Sequence, residues 1–111
     1  PMKESALSKA IRSAFAARGA RCIKYHGGPY GEAGIPDLIV CYRGRFVFVE
    51  TKRCGEKPTP IQLQRIAELR AFGATGGPAD AVDIALLFLD VVDQDIQHLE
   101  DIDFTLRELA T

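Results

Sequence analysis

Two carboxylates and a lysine stand at the ends of an otherwise apolar segment, GIPDLIVCYRGRFVFVETK, at residues 34–52. Asp37 precedes the run LIVCY, and Glu50 and Lys52 end the run RFVFVETK. Hard divalent cations such as Mg²⁺ bind one or two carboxylates together with water and phosphate oxygens. An ammonium group beside such an ion can hold a water or a phosphate oxygen. These residue types therefore indicate metal-assisted chemistry on a phosphate ester.

The segment must fold as a hairpin for these groups to meet. A tight turn at Arg43-Gly44 would pair Val40 with Val47 and place Asp37 opposite Glu50. Like charges at opposed positions destabilise a strand pair, and a bridging cation would remove that cost. A three-residue loop would shift the register and separate the carboxylates. The alternative is that both acids are ordinary solvent-facing residues at strand ends.

The remaining elements are predicted from periodicity and from helix stop residues. A helix over 3–18 ends at Gly19, RCIKY at 21–25 is β-prone, 26–36 is a glycine-rich loop, and 60–72 is a helix with Thr59 as N-cap. The apolar run AVDIALLFLDVV favours a buried strand around 84–92 over a helix beginning at Pro78. Asp93 and Asp103 would cap two short helices, and ATGGPAD would break the chain. The order α-β-β-β-α-β-α predicts an α/β sandwich of a sheet with helices against it.

Composition limits the class of protein. The 111 residues, 47% of them hydrophobic, suit a single domain spanning 1–111. No apolar run approaches the roughly 18 residues of a membrane span, and no signal-peptide pattern is present, so we expect a soluble, cytoplasmic protein without membrane contact. Three cysteines without C-x-x-C spacing support neither a disulfide framework nor a zinc cluster.

Charge is distributed unevenly along the chain. Residues 1–79 hold 13 of the 14 Lys and Arg but only 6 of the 15 acids, whereas 80–111 hold Arg107 and 9 acids. This asymmetry indicates a basic working surface and an acidic tail or outer face. A solvated acidic helix explains the second part equally well.

The set of motifs resembles the PD-(D/E)XK nuclease superfamily, and within it the virus-type replication-repair nuclease (VRR-NUC) domain. Gly34-x-Pro36-Asp37, a hairpin with a glycine turn, Glu50-x-Lys52, and Gln62 at the start of the next helix carry the resemblance. It extends from the first helix to about Gly73. It implies a restriction-endonuclease-like α/β core, in which helices flank a mixed β-sheet.

The resemblance also implies roles for individual residues. Asp37, Glu50 and the backbone carbonyl of Thr51, with Glu4 directly or through water, would hold Mg²⁺ or Mn²⁺. Lys52 would orient or activate the attacking water. The family also uses a glutamine near the active site, here Gln62. Each residue outside the central motif has a structural alternative: Glu4 suits the first turn of a helix, and Thr59-x-x-Gln62 fits a capping box.

By the same resemblance, the function expected is metal-dependent hydrolysis of DNA by an endonuclease that selects branched or junction DNA by structure, as a Holliday-junction resolvase does. Such an enzyme would act as a homodimer in a bacterial or phage-infected cell, with the apolar ALLFL region or helix 60–72 as interface. A flap nuclease or exonuclease acting on DNA ends, or a catalytically silent nucleic-acid-binding module, are the alternatives. Expected DNA contacts, each equally explained by turn chemistry, solubility or an ordinary strand position, are Lys24, Arg43, Arg45, Arg53 and Lys57.

Overall fold

The computed structural model describes residues 3–28 and 31–111, in which three consecutive strands separate the first two helices. The elements are α1 (Glu4–Ala17), β1 (Arg21–Lys24), β2 (Leu38–Tyr42), β3 (Arg45–Thr51), α2 (Pro60–Ala71), β4 (Thr75–Ala79) and α3 (Val82–Ala110). Within these ranges, none of the helices combines the length and the apolar character that crossing a bilayer requires.

The four strands form one mixed sheet in the order β1-β2-β3-β4. The first two pairings are antiparallel, and β4 runs parallel to β3 after the α2 crossover. The mixed sheet with flanking helices is the restriction-endonuclease-like α/β arrangement expected from the motifs. β3 lies inside the sheet, and its last two residues, Glu50 and Thr51, pair with β4 beyond the end of the β2–β3 ladder.

The hairpin between β2 and β3 has the predicted register. Val40 pairs with Val47, and the turn residues Arg43 and Gly44 both adopt positive φ, 50° and 76°. Two consecutive residues at positive φ make the two-residue turn whose twist matches that of paired strands. This turn fixes which side chains of the two strands share a face.

The main core lies between the sheet and the helices α1 and α3. Leu7, Ile11 and Phe15 form one apolar face of α1, and all three are buried. They pack with Leu38, Val40, Val47 and Val49 from the sheet and with Ala85, Leu89 and Val92 from α3. The strands that carry the motif are thus fixed by their packed faces, which is what a preorganised site requires.

The C-terminal third differs from the sequence prediction. Residues 84–92 are not a strand, and Asp93 and Asp103 do not begin separate helices, because one helix of 29 residues covers Val82–Ala110. The fourth strand, Thr75–Ala79, lies instead in the segment predicted to be a chain break. The apolar run is helical because its buried members, Ala85, Leu89 and Val92, recur every three or four residues and face the core.

Glycine in β4 has a packing reason. A Cβ on Gly76 would collide with the backbone oxygen and ring of Phe48, and one on Gly77 would lie 2.5 Å from the Arg70 guanidinium. A larger residue is therefore excluded at position 76, whereas at position 77 the end of the flexible Arg70 side chain would have to move. The same glycines look like a loop in the sequence.

Candidate active site

Glu50 is the most deeply buried carboxylate of the predicted site. Only 5% of the residue is exposed, at the end of β3. Its Oε1 accepts a hydrogen bond from Nε2 of Gln62 at 3.1 Å, whereas its Oε2 is buried and has no hydrogen-bond partner among the described residues. Burial, followed by the negative charge of Asp37, raises the pKa of Glu50 to about 7; Lys52 opposes this rise and Glu4 adds to it.

Asp37 lies just before β2 and is oriented by Thr51. Its Oδ1 accepts the Thr51 backbone N–H at 2.8 Å, and its Oδ2 accepts the Thr51 hydroxyl. Lys24 Nζ lies 3.6 Å from Oδ2 and donates to Ser8 Oγ at 3.2 Å. The β2–β3 ladder ends at the pair Leu38–Val49. Continuing this register would place Asp37 opposite Glu50, but Asp37 forms its hydrogen bonds with Thr51, the next residue of β3.

Lys52 is buried beside the carboxylates, with 7% of the residue exposed. Its backbone N–H donates to the carbonyl of Ala79 at 2.9 Å, which holds the residue against β4. Its Nζ lies 3.5 Å from Oε1 of Glu56, and both residues line a cleft of about 250 Å³. The ammonium group therefore has a carboxylate partner outside the motif.

Gln62 has both of the roles that its sequence context suggested, because it caps α2 and contacts the candidate site. Its backbone N–H donates to Thr59 Oγ1 and its Oε1 accepts the Thr59 backbone N–H at 3.0 Å, which completes the predicted capping box. The remaining amide donor reaches Glu50. The helix cap thus fixes the side chain that orients the buried carboxylate.

Two residues of this neighbourhood were missed in the sequence. Ser8 is buried on α1 and accepts from Lys24, and Glu56 binds the ammonium of Lys52. Ser8 follows Glu4 by four residues and so shares its helix face, which was the available indication. Glu4, the first residue of α1, is half-buried, and its charge acts on Glu50.

The donor set fits a hard divalent cation. A positive ion at this place would give Oε2 of Glu50 the partner that it lacks among the described residues, and it would relieve the mutual repulsion of the carboxylates. Across residues 3–28 and 31–111, no three His, Cys, Asp or Glu side chains converge into a metal-binding group. Two carboxylates and the carbonyl of Thr51, completed by water and phosphate, match the ligand preference of Mg²⁺.

Most of the expected DNA contacts have intramolecular partners. Arg43 binds Asp93 and Arg45 binds Asp95, at 2.8 and 2.6 Å, so the acidic helix α3 covers the hairpin tip. Arg53 binds Glu56 at 3.3 Å in the loop after β3. Each of these three arginines is therefore already paired with a carboxylate of the chain.

Of the other two expected contacts, Lys24 lies against Asp37 inside the candidate site. Lys57 is exposed, and it has no ion pair or hydrogen bond with the described residues. Asp93 also accepts from Tyr42 and Arg18, and its hydrogen bond with Arg43 is the main cause of its lowered pKa. The middle of α3 is therefore tied to the hairpin tip, whereas Asp80 and Ile84, at the start of the acidic segment, line the same cleft as Lys52.

Comparison with known proteins places this geometry in context. No family model matches the chain. A curated protein named "Putative nuclease p44", from Acyrthosiphon pisum secondary endosymbiont phage 1, is 43% identical over 56 residues. That match covers 50% of this chain, and the chain spans only 60% of the length of the curated relative.

A solved structure described as "VRR_NUC domain" is similar to almost the whole fold. It superposes with a TM-score of 0.67 and 28% sequence identity, over 81% of this chain and 97% of that chain. The likeness thus extends beyond the two-thirds of the sequence that carry the motifs. The resemblance that those motifs indicate is confirmed: the chain has the fold of a VRR-NUC domain.

Proposed function

We propose that the chain, as a single domain spanning 1–111, is a metal-dependent DNA endonuclease that hydrolyses phosphodiester bonds. The observation that carries the proposal is that Glu50 is buried beside Asp37 and Lys52, while its Oε2 has no hydrogen-bond partner among the described residues. A protein that only bound nucleic acid would repel phosphate with this pair of carboxylates. The similar fold of a VRR-NUC domain and the nuclease name of the phage relative support the same chemistry.

The residues divide the work by position. Asp37, Glu50 and the carbonyl of Thr51 would hold Mg²⁺ or Mn²⁺, with Glu4 adding negative charge. When bound, the ion supplies a water of lowered pKa and neutralises charge on the phosphate. Gln62 and Thr51 orient the two carboxylates, since each donates a hydrogen bond to one of them.

Lys52 is proposed to act on the reacting groups. Its ammonium orients the attacking water and stabilises the negative charge that develops on the phosphate. Its burial limits competition from solvent, and its Nζ lies 3.5 Å from Oε1 of Glu56. The positive charge of Lys52 also favours the ionised form of Glu50 and so opposes the repulsion from Asp37.

The substrate we propose is branched or junction DNA, cut by a homodimer in the cytoplasm of a bacterial or phage-infected cell. Two active sites related by a two-fold axis match two strands related by the same symmetry. The ALLFL region is an unsuitable interface, because Ala85 and Leu89 are buried in the core. The outer part of α3 is a better one, with exposed apolar residues at Leu99, Ile102, Leu106 and Leu109.

This outer apolar stripe continues the spacing that buries the first turns of α3. Successive members lie three or four residues apart, whereas Asp101 and Glu108 fall on the opposite side of the helix at about 100° per residue. Light scattering of the wild type and of a Leu99→Lys/Leu106→Lys variant tests the assembly. A dimer that becomes a folded monomer supports the proposal; a wild type that is monomeric at working concentration refutes it.

The activity is tested with labelled four-way junction, flap, duplex and single-stranded DNA in Mg²⁺, Mn²⁺ or EDTA. Lys52→Ala is the matched variant, and Arg107→Ala, at an exposed arginine of α3 that pairs with Asp103, is the control. We expect paired nicks in the junction that require metal and are absent from Lys52→Ala. Cleavage confined to flaps or ends would keep the chemistry and replace the substrate; full cleavage by Lys52→Ala would refute the proposed site.

A further inference from the structure

A basic groove lies between α1 and the edge strand β1, apart from every DNA contact expected from the sequence. Its volume is about 400 Å³. Three of its lining side chains are cations, and the lining contains no acid among the described residues: Lys9, Arg12, Ser13, Ala16, Ala20, Arg21 and Cys22. The positive charge of this groove is therefore not neutralised locally.

Arg12 has an unused hydrogen-bond donor in this groove. Its Nε is buried and has no partner in the described part of the chain. Arg21 uses one nitrogen, which donates to the Cys22 carbonyl at 2.6 Å. Because a guanidinium group carries five N–H donors, both arginines retain donors for an external acceptor.

Arg12, Arg21 and the thiol of Cys22 lie together in the lining of this groove. Both positive charges act to lower the pKa of Cys22, but burial outweighs them and raises it to about 11. The thiol therefore stays neutral at physiological pH and provides no anion to pair with Arg12 or Arg21. An anion from outside the chain is the partner that this arrangement lacks.

The groove and the candidate active site lie along one seam of the fold. Glu4, Ser8 and Arg12 are spaced four residues apart on α1, so they share a face, and Arg12 lies about 12 Å along the axis from Glu4. On the other wall, β1 runs from Arg21 at the groove to Lys24, which contacts Ser8 and Asp37. One DNA strand presents a phosphate about every 3.4 Å of helix axis, so this distance spans about three or four nucleotides.

We propose that this groove binds the phosphodiester backbone of the DNA strand that is cut at the candidate active site, with Arg12 as the central contact and Lys9 and Arg21 beside it. The inference rests on the proposed nuclease function. Arginine suits the role because its planar fork matches two phosphate oxygens at once. The groove cations have no ion pairs with the described residues, unlike the arginines of the hairpin tip.

The salt dependence of DNA binding by the chain 1–111 tests this proposal. Labelled duplex, flap and junction DNA are titrated in EDTA, which prevents cleavage, between 50 and 200 mM salt. Lys9→Gln, Arg12→Gln and Arg21→Gln are compared with Arg107→Gln, an exposed arginine on α3 that pairs with Asp103. Each groove variant should reduce the slope of log affinity against log salt by about 1 relative to wild type, whatever the base sequence.

The outcomes separate the groove from the nuclease function. Wild-type slopes in all three groove variants, together with metal-dependent cleavage by the wild type, would overturn the groove and keep the nuclease. A wild type that neither binds nor cleaves DNA would overturn both. Competition with inorganic phosphate provides a further arm: if the variants lose phosphate binding but keep their DNA affinity, the groove binds the free ion only and the proposal fails. Circular dichroism verifies folding. If Arg12→Gln unfolds, Lys9→Gln and Arg21→Gln still decide the test, because both residues are exposed.

Discussion

Replacing Glu50 by glutamine should stabilise the metal-free protein above neutral pH. Glutamine keeps an oxygen that accepts from Gln62, but it carries no charge in the buried position. In the wild type, burial and the charge of Asp37 raise the pKa of Glu50 from 4.5 to about 7. The carboxylate form is therefore the one that the folded state disfavours.

The sign and size of the effect follow from this pKa. Because the folded protein holds the Glu50 proton more tightly than the unfolded chain, this contribution to stability is complete below pH 4.5 and is lost as pH rises through about 7. At roughly 1.4 kcal/mol for each pKa unit, the loss amounts to about 3 kcal/mol at pH 8. Glu50→Gln does not lose this stability, because glutamine does not ionise.

Urea unfolding in EDTA at several pH values between 4 and 8 measures the effect. The free energy of unfolding of Glu50→Gln minus that of wild type should grow by about 3 kcal/mol across this range, with similar m-values. Glu68→Gln removes an exposed carboxylate from α2 and should leave the pH dependence unchanged. A Glu50→Gln curve parallel to that of wild type would refute the argument that Glu50 is buried and repelled.

Divalent metal should reverse the order of the two proteins. A ligand that binds only the folded state at about 1,000 times its dissociation constant stabilises it by about 4.1 kcal/mol, which exceeds the difference of about 3 kcal/mol between the metal-free proteins. With Mn²⁺ at such a concentration, the wild type should gain this stability and Glu50→Gln should gain little. Equal gains in both proteins would show that Glu50 does not bind the metal.

Four further substitutions test other parts of the structure. Asp37→Asn should weaken Mn²⁺ binding at least about tenfold by calorimetry, and wild-type affinity would remove it from the ligand set. Thr51→Val deletes the hydroxyl that Asp37 accepts and should cost about 1.5–3 kcal/mol in urea unfolding, as expected for a hydrogen bond to a charged group. Gly76→Ala should cost about 1–3 kcal/mol or more by the same method, because its Cβ meets the Phe48 backbone; unchanged stability would contradict that packing. Asp93→Asn should lower the melting temperature at neutral pH but not near pH 2, since a lowered pKa contributes stability above the ordinary 3.8 that disappears on acidification.

Local patterns predicted the parts of the fold that local physics determines. The register of the β2–β3 hairpin followed from the Arg43-Gly44 turn, and α1 and α2 followed from apolar spacing and the Thr59 cap. The strand β4 was not predicted, because glycine usually weakens strands. Only the neighbouring Phe48 explains why glycine is needed at position 76. The apolar start of α3 was ambiguous, since a buried strand and a buried helix share that composition.

The candidate site shows the same division. Asp37, Glu50, Lys52 and Gln62 were recognisable because the motif keeps them at short, fixed separations. The partners of the basic residues were not, because contacts such as Arg43–Asp93 join residues 50 positions apart. Ion pairs of this kind depend on how α3 crosses the sheet, and the sequence prediction had divided that helix into shorter elements.

The length of α3 gives the molecule two levels of local stability. Its first turns are locked into the core through Leu89 and Val92, whereas 97–111 are exposed throughout. A solitary helical segment of about 12–15 residues is only marginally stable in water, so its amide protons should exchange with solvent through fraying rather than global unfolding. The boundary between slow and fast exchange, expected near Ile96 in an isolated chain, would move toward Ala110 when another surface covers the exposed turns. Amide exchange along this helix thus reports whether a partner covers the outer turns of α3.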